Sequence, residues 1–353
     1  MSRLTAPNAW CCAPNKNCPK TSYWSPTVPS PPASRLSCRH LLGIEDLNVS
    51  DVVLLLQNAK AFASIHERSR KKVPTLSGTT LVNCFFENST RTRMSFELAA
   101  KRLSADTINF SGSTSSLKKG ETFLDTARTI ESYRPDLLVL RHQSAGACHL
   151  LTQVTAGAVI NAGDGEREHP TQALLDAYTL LEHFGRLDDD DPFSFSLKGK
   201  SVAIIGDIEH SRVARSNFFC LRLLGAEVRV AGPATMIPQG LDQYGVQVCT
   251  SVDEALEDVS AVMMLRIQKE RLQGPLLPSD DEYHRFFGLT KERAARLPNV
   301  PFLHPGPINR GVEIDPEAAD SKQALIFRQS QHGIPVRMAV LHLLALGLRA
   351  EAP

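Results

Sequence analysis

The chain has 353 residues, 39 of them basic and 38 acidic, for a formal net charge of +1. A balance that close to zero removes any global electrostatic argument for nucleic acid or a membrane surface, and no apolar run reads as membrane-spanning. The length suits two domains of ordinary size, each with a real core, so anion specificity has to come from local clusters.

Residues 1–38 differ from the rest, with seven of the 22 prolines, four of the eight cysteines and no acidic residue before Glu45. Such a segment buries too little apolar surface to offset its ordering entropy, which predicts disorder. It lacks the apolar core of a secretory signal. A transit peptide, an early start codon and a dispensable extension all fit it. Cys11, Cys12, Cys18 and Cys38 lack paired C-x-x-C spacing. Cys84, Cys148, Cys220 and Cys249 read as small core residues of a reduced, cytosolic protein.

Globular patterning starts at Leu41, with a helix expected over 52–62. Thr80 to Phe86 is an apolar run of buried-strand length, followed by Glu87-Asn88-Ser89-Thr90-Arg91-Thr92-Arg93. Phe96, Ala99, Ala100 and Leu103 then mark one helical face, with Ser89 or Thr90 as N-cap. Two arginines in a first turn oppose the macrodipole unless an anion binds there. Backbone N–H groups, hydroxyls and guanidinium together suit phosphate.

A strand is expected at 107–110, then a small, polar, cationic loop, Ser111 to Glu121, of the composition of a mobile lid. After a helix over 122–133, Leu137 to Leu140 reads as a parallel strand ending in Arg141-His142. In open α/β sheets ligands lie beyond the carboxyl ends of strands, which points Arg141 into a crevice. Val159 to Gly165 repeats the strand-and-turn design and leads to His169-Pro170-Thr171-Gln172. Pro170 suits the first helical position, which places His169 at a helix N-terminus, where a neutral imidazole is favoured.

Gly185 to Ser196 reads as a surface connection, its four consecutive aspartates being solvated. A fresh α/β unit opens at Lys200, with a strand to Ile205, a helix over 211–224 opened by Arg212, and a strand over 228–230. Ala261 to Leu265 is another buried strand, ending in Arg266. The three-glycine dinucleotide fingerprint is missing after Gly206, which disfavours a nicotinamide-dependent dehydrogenase. Phe302-Leu303 leads into His304-Pro305-Gly306-Pro307, where prolines leave carbonyl oxygens free as acceptors. Ser330 to Pro335 is expected to open a C-terminal helix.

Seven motifs in order carry a resemblance covering about residues 40–349. They are Ser89-Thr90-Arg91-Thr92-Arg93, Ser-x-x-Lys-Lys-Gly-Glu ending at Glu121 with Ser116 and Lys119 as the matching positions, Arg141-His142, His169-Pro170-Thr171-Gln172, the helix-opening Arg212, Arg266-Ile267-Gln268 with its following Glu-Arg, and His304-Pro305-Gly306-Pro307. Together they resemble the aspartate and ornithine carbamoyltransferases. Ornithine enzymes carry Ser-Met-Gly and His-Cys-Leu-Pro motifs, absent here, and arginines suit a dicarboxylate rather than an ammonium. The resemblance is therefore to the aspartate branch, in the bacterial style, with ornithine or another amino acid as the alternative acceptor.

That resemblance implies two doubly wound α/β domains, each a mostly parallel sheet flanked by helices, with the active site in the cleft between them. Residues 39–170 would bind carbamoyl phosphate, completed by a C-terminal helix over 331–349, and residues 171–330 would bind aspartate. Ser89, Thr90, Arg91, Thr92, Ser116 and Lys119 would hold phosphate; Thr92, Arg141 and His169 the carbonyl oxygen; Gln172, Gly306 and Pro307 the carbamoyl nitrogen. Arg212, Arg266 and Gln268, helped by Lys119, would bind the aspartate carboxylates. No cofactor or metal is implied. A homotrimer is, with Ser116 and Lys119 entering a neighbour's site; regulatory or dihydroorotase chains are possible partners. The expected product is N-carbamoyl-L-aspartate, in the cytoplasm, early in pyrimidine biosynthesis.

Overall fold

Runs of apolar residues buried on both faces are what a parallel sheet covered by helices requires, and the computed structural model has two such sheets. It describes residues 35–66, 68, 71–111, 121–188, 191, 193–267 and 279–351. The first lobe holds α1 (Val49–His66), β1 (Thr80–Phe85), α2 (Thr90–Arg102), β2 (Asp106–Ser111), α3 (Phe123–Glu131), β3 (Leu137–His142), α4 (Ala147–Thr152) and β4 (Ala158–Asp164). Helix α5 (Pro170–His183) follows. The second lobe holds β5 (Ser201–Ile205), α6 (Arg212–Leu223), β6 (Glu227–Ala231), β7 (Gln247–Val248), α7 (Val252–Ala255), β8 (Ala261–Met264), α8 (Asp280–Phe287), α9 (Lys291–Ala295), β9 (Phe302–Leu303) and α10 (Pro316–Ala319). Helix α11 (Ile326–Glu351) closes the chain.

All ladder pairings are parallel, in the orders β2-β1-β3-β4 and β7-β6-β5-β8-β9. The strand order reverses between β1 and β3 in one sheet and between β5 and β8 in the other. Each reversal leaves a crevice at the carboxyl ends of its strands, where the connections leave in opposite directions. The sequence reading of two doubly wound lobes is borne out.

Three expectations need correction. The extension called disordered over 1–38 lies outside the described residues up to 34, but Leu36 is buried in the core. Ser37 donates from its backbone N–H and its hydroxyl to Asp51 (2.8 and 2.6 Å), and these bonds hold that end in place. The last helix begins at Ile326, before the expected opening, and Pro335 lies inside it. Burial of fourteen of its residues outweighs the backbone bond that Pro335 removes. This helix is also, by length and composition, apolar enough to cross a membrane. It instead packs against α1, α2 and α5, as a core helix of a two-lobed fold. Cys84, Cys148, Cys220 and Cys249 are buried and unpaired, as expected.

Candidate active site

The two crevices open on one cavity of about 880 Å³, lined from both lobes. Ser89, Thr90, Arg91 and Thr92 follow β1, and Arg141 lies next to the end of β3, so the first switch point supplies both. Arg212 follows β5 and Arg266 follows β8, the equivalent positions of the second lobe. His169, Gln172, Gly306 and Pro307 line the same space. Arg93 is not among the lining residues. Ser116, Lys119 and Gln268 lie outside the described residues.

At the start of α2, Ser89 is the N-cap with extended backbone, yet it makes no side-chain capping bond. The first-turn N–H groups are thus left for a ligand, as a helix N-terminal anion site needs. Burial and the neighbouring Arg266 both pull the Arg91 guanidinium below its ordinary value. Two cations facing one space repel until an anion enters it. Arg91 also lies against Gly306, whose φ of +64° and missing Cβ permit the approach, since a Cβ there would sit 2.0 Å from Nη1.

Arg141 donates to the Ala162 carbonyl (3.0 Å) and to Glu87 Oε1 (2.7 Å). Arg212, from the other lobe, donates to Glu87 Oε2 (3.0 Å) and the Gly165 carbonyl (3.1 Å), and pairs with Glu87 Oε1 as well. Two of the Arg212 nitrogens are therefore engaged across the cleft. Gly163, at φ +117°, sits beneath both guanidiniums, with a Cβ placed 3.0 Å from each. Sequence reasoning named Glu87 within its motif but gave it no role; a carboxylate two residues before an anion-binding turn was the available signal.

His169 caps α5 and donates its backbone N–H to Ser216 Oγ at 2.8 Å. Its imidazole is held well below the usual histidine range, by burial first and then by Arg141, Arg337 and Arg212. The expectation of a neutral ring holds, but the leading cause is desolvation and not only the helix end. Ser216 in turn donates to Glu168 Oε2 (2.8 Å), a buried carboxyl pushed up to about 7 by burial. Arg337 of α11 is a further lining cation that the sequence did not reveal. It donates to Ser95 Oγ at 2.9 Å and lies over the Phe96 ring at 5.1 Å.

The second sheet is joined to the His304 loop through Glu313. That buried carboxylate accepts from Ile267 N–H (3.2 Å) and from Asn309 (2.9 and 2.8 Å), locking the chain after Arg266 to the loop bearing Gly306. His304 is pulled down to about 3 by burial and by Arg91 and Arg266, so it too is neutral.

Fold and cleft together define a class: two-lobed α/β proteins that gather guanidiniums from paired switch points around one cleft, with neutral imidazole and amide groups beside them. Comparison with known sequences places the chain within it. Residues 39–182 match the carbamoyl-phosphate-binding domain, and residues 198–344 the Asp/Orn-binding domain, of the aspartate/ornithine carbamoyltransferases. The chain belongs to that family. It is 53% identical over 316 residues to the aspartate carbamoyltransferase catalytic subunit of Desulfotalea psychrophila, covering 89% of this chain and 96% of that one. With the same subunit of Syntrophotalea carbinolica it shares 50% over 314 residues, 89% and 97% of the two chains. Among solved structures, the catalytic subunit of M. jannaschii aspartate transcarbamoylase aligns with a TM-score of 0.74 at 33% identity, covering 88% of this chain and 99% of that one. Trypanosoma cruzi aspartate transcarbamoylase, in complex with carbamoyl phosphate and aspartate, gives 0.74 at 28%, covering 86% and 94%.

Proposed function

We propose that this chain is an aspartate carbamoyltransferase, moving the carbamoyl group of carbamoyl phosphate to the α-amine of L-aspartate and releasing phosphate. The observation that carries the reading is the placement of Arg91, Arg141, Arg212 and Arg266 around one cavity, two from each lobe's switch point. A phosphate on one side and a dicarboxylate on the other match that set. The ammonium of ornithine would meet the same guanidiniums with repulsion.

In this reading Ser89, Thr90, Arg91 and Thr92 hold the phosphate, with Ser116 and Lys119. Thr92, Arg141 and neutral His169 surround the carbonyl oxygen. As the amine attacks, that oxygen gains negative charge, and donors already fixed around it lower the barrier. Gln172 and the Gly306 and Pro307 carbonyls receive the carbamoyl NH2, while Arg212, Arg266 and Gln268 take the aspartate carboxylates. Holding amine and carbonyl at attack distance supplies the rest. Phosphate leaves and its own oxygens accept the amine proton.

Assembly as a homotrimer with shared sites is part of this proposal. Met94, Leu98 and Ile108 are exposed on α2 and the edge strand β2, and Met94 and Leu98 line the cavity rim. A second copy laid there would cover that apolar face and reach the site. A cytoplasmic location and a role early in pyrimidine synthesis follow from the activity proposed.

The test is an assay of purified protein with carbamoyl phosphate and either L-aspartate or L-ornithine. Carbamoyl-aspartate as the dominant product is expected. Citrulline formation at equal or greater rate would overturn the aspartate assignment.

A further inference from the structure

Beneath the cavity, one carboxylate collects three amide side chains. Asp176 is fully buried on α5. Its Oδ1 accepts from Gln172 Nε2 at 2.9 Å and from Gln329 Nε2 at 2.7 Å, and its Oδ2 from Asn217 Nδ2 at 2.9 Å. An ionised carboxylate has no proton to give, so each amide must turn its NH2 group toward it. The orientation of Gln172 is therefore dictated by chemistry. With its nitrogen committed below, Gln172 has its carbonyl oxygen left for the cavity that it lines. Gln329 is oriented in the same way, and its Oε1 accepts the backbone N–H of His304 at 2.9 Å. That bond sets the start of the loop carrying Gly306 and Pro307.

We propose that Asp176 is a positioning residue that makes the floor of the carbamoyl pocket an obligate hydrogen-bond acceptor, and thereby selects a donor substrate with NH2, not CH3, beside its carbonyl. The inference rests on the carbamoyltransferase reading above and extends it to discrimination between carbamoyl phosphate and acetyl phosphate. The two differ only in that group. A methyl placed against Gln172 leaves its half-buried oxygen without the donor that an NH2 group supplies, which disfavours acetyl phosphate by roughly ten- to a hundredfold. Burial pushes the Asp176 carboxyl up to about 6, while its three amide donors pull the other way, so it remains ionised at neutral pH.

The experiment compares kcat/KM for carbamoyl phosphate and for acetyl phosphate, with L-aspartate as acceptor, in the parent chain, Asp176→Asn, Gln172→Met and the double variant. An asparagine can donate as well as accept, so it no longer fixes Gln172. The expected result is that both single variants lose about tenfold or more of the selectivity ratio, and that the double variant loses no more than either. A ratio unchanged in Asp176→Asn overturns the proposal. Should that variant fail to fold, by melting and sedimentation, Gln172→Met decides: a retained ratio overturns the proposal and a collapsed one supports it. General loosening of the fold would lower both rates and leave their ratio alone. A parent chain that makes no carbamoyl-aspartate at all would instead refute the activity itself.

Discussion

Glu87, just after β1, and Arg212, which opens α6, meet across the cleft: Nη1 lies 3.0 Å from Oε2, and Nη2 reaches Oε1. The same carboxylate takes Arg141 at 2.7 Å. One anion thus holds two guanidiniums from opposite lobes in the orientation the substrates would require. Replacing Glu87 by alanine leaves both cations without it. Because the Glu87 side chain is 23% exposed, the expected cost sits below that of a fully buried pair, at about 2–3 kcal/mol. Steady-state kinetics should show kcat/KM for aspartate reduced on the order of 10²-fold, chiefly through KM. A change within twofold would show that the bridge has no part in binding.

Arg91 stands on the cavity wall at the first turn of α2 and belongs to none of the apolar clusters of the core, so Arg91→Ala should leave the melting temperature nearly unchanged. Turnover should fall on the order of 10²–10³-fold, the usual loss when one charge-stabilising donor is removed. Calorimetry and a saturation curve in carbamoyl phosphate check both halves. Near-parental activity would dismiss the phosphate role.

At Gly163, the left-handed backbone (φ +117°) and the closeness of Arg141 and Arg212 both forbid a side chain. Gly163→Ala should cost about 1–2 kcal/mol from the backbone alone. It should also displace two guanidiniums, so kcat/KM falls more than stability would explain. Urea denaturation beside kinetics separates the two effects.

His304 is held neutral in the folded chain, down to about 3 against an ordinary 6.5. The unfolded chain binds a proton there below pH 6.5 and the folded one does not. The His304 contribution to stability therefore falls as pH drops from 6.5 toward 3, by up to about 1.4 kcal/mol per pH unit. Asp176 and Glu168 act oppositely, because their raised values let the folded state bind protons first. His304→Asn can still accept the Gly306 N–H, bonded at 2.8 Å to Nδ1, without the proton linkage. Its midpoint of denaturation should depend less on pH between 6.5 and 4 than the parent's; equal slopes would reject this account.

If sites are shared between copies, Arg91→Ala and Lys119→Ala chains, each inactive, should recover activity when mixed under subunit exchange. In a trimer, pairing the two defects on one site leaves another site intact. Absence of any recovery, with exchange verified by mass, would mean that each chain has a complete site of its own.

What was legible in the sequence was local. Arg91 and Arg212 could be placed because each lies within a few residues of a strand end and a helix start. Apolar runs specify those positions through burial alone. The lobes, their order and the branch of the family followed from the same short segments. The misread opening of α11 has the complementary cause. A proline rule holds for an isolated helix, and burial against three neighbours overrode it.

The amino-acid sequence by itself determined which groups would be available, since a strand-turn-helix unit carries its polar tip wherever it goes. Tertiary structure alone decided which groups meet. Arg212 finds Glu87 across 125 residues, and Gln329 finds Asp176 across 153. No periodicity encodes a pairing at that range, because hydrogen-bond geometry depends on how two lobes and a terminal helix pack, and that is set by the whole buried surface at once.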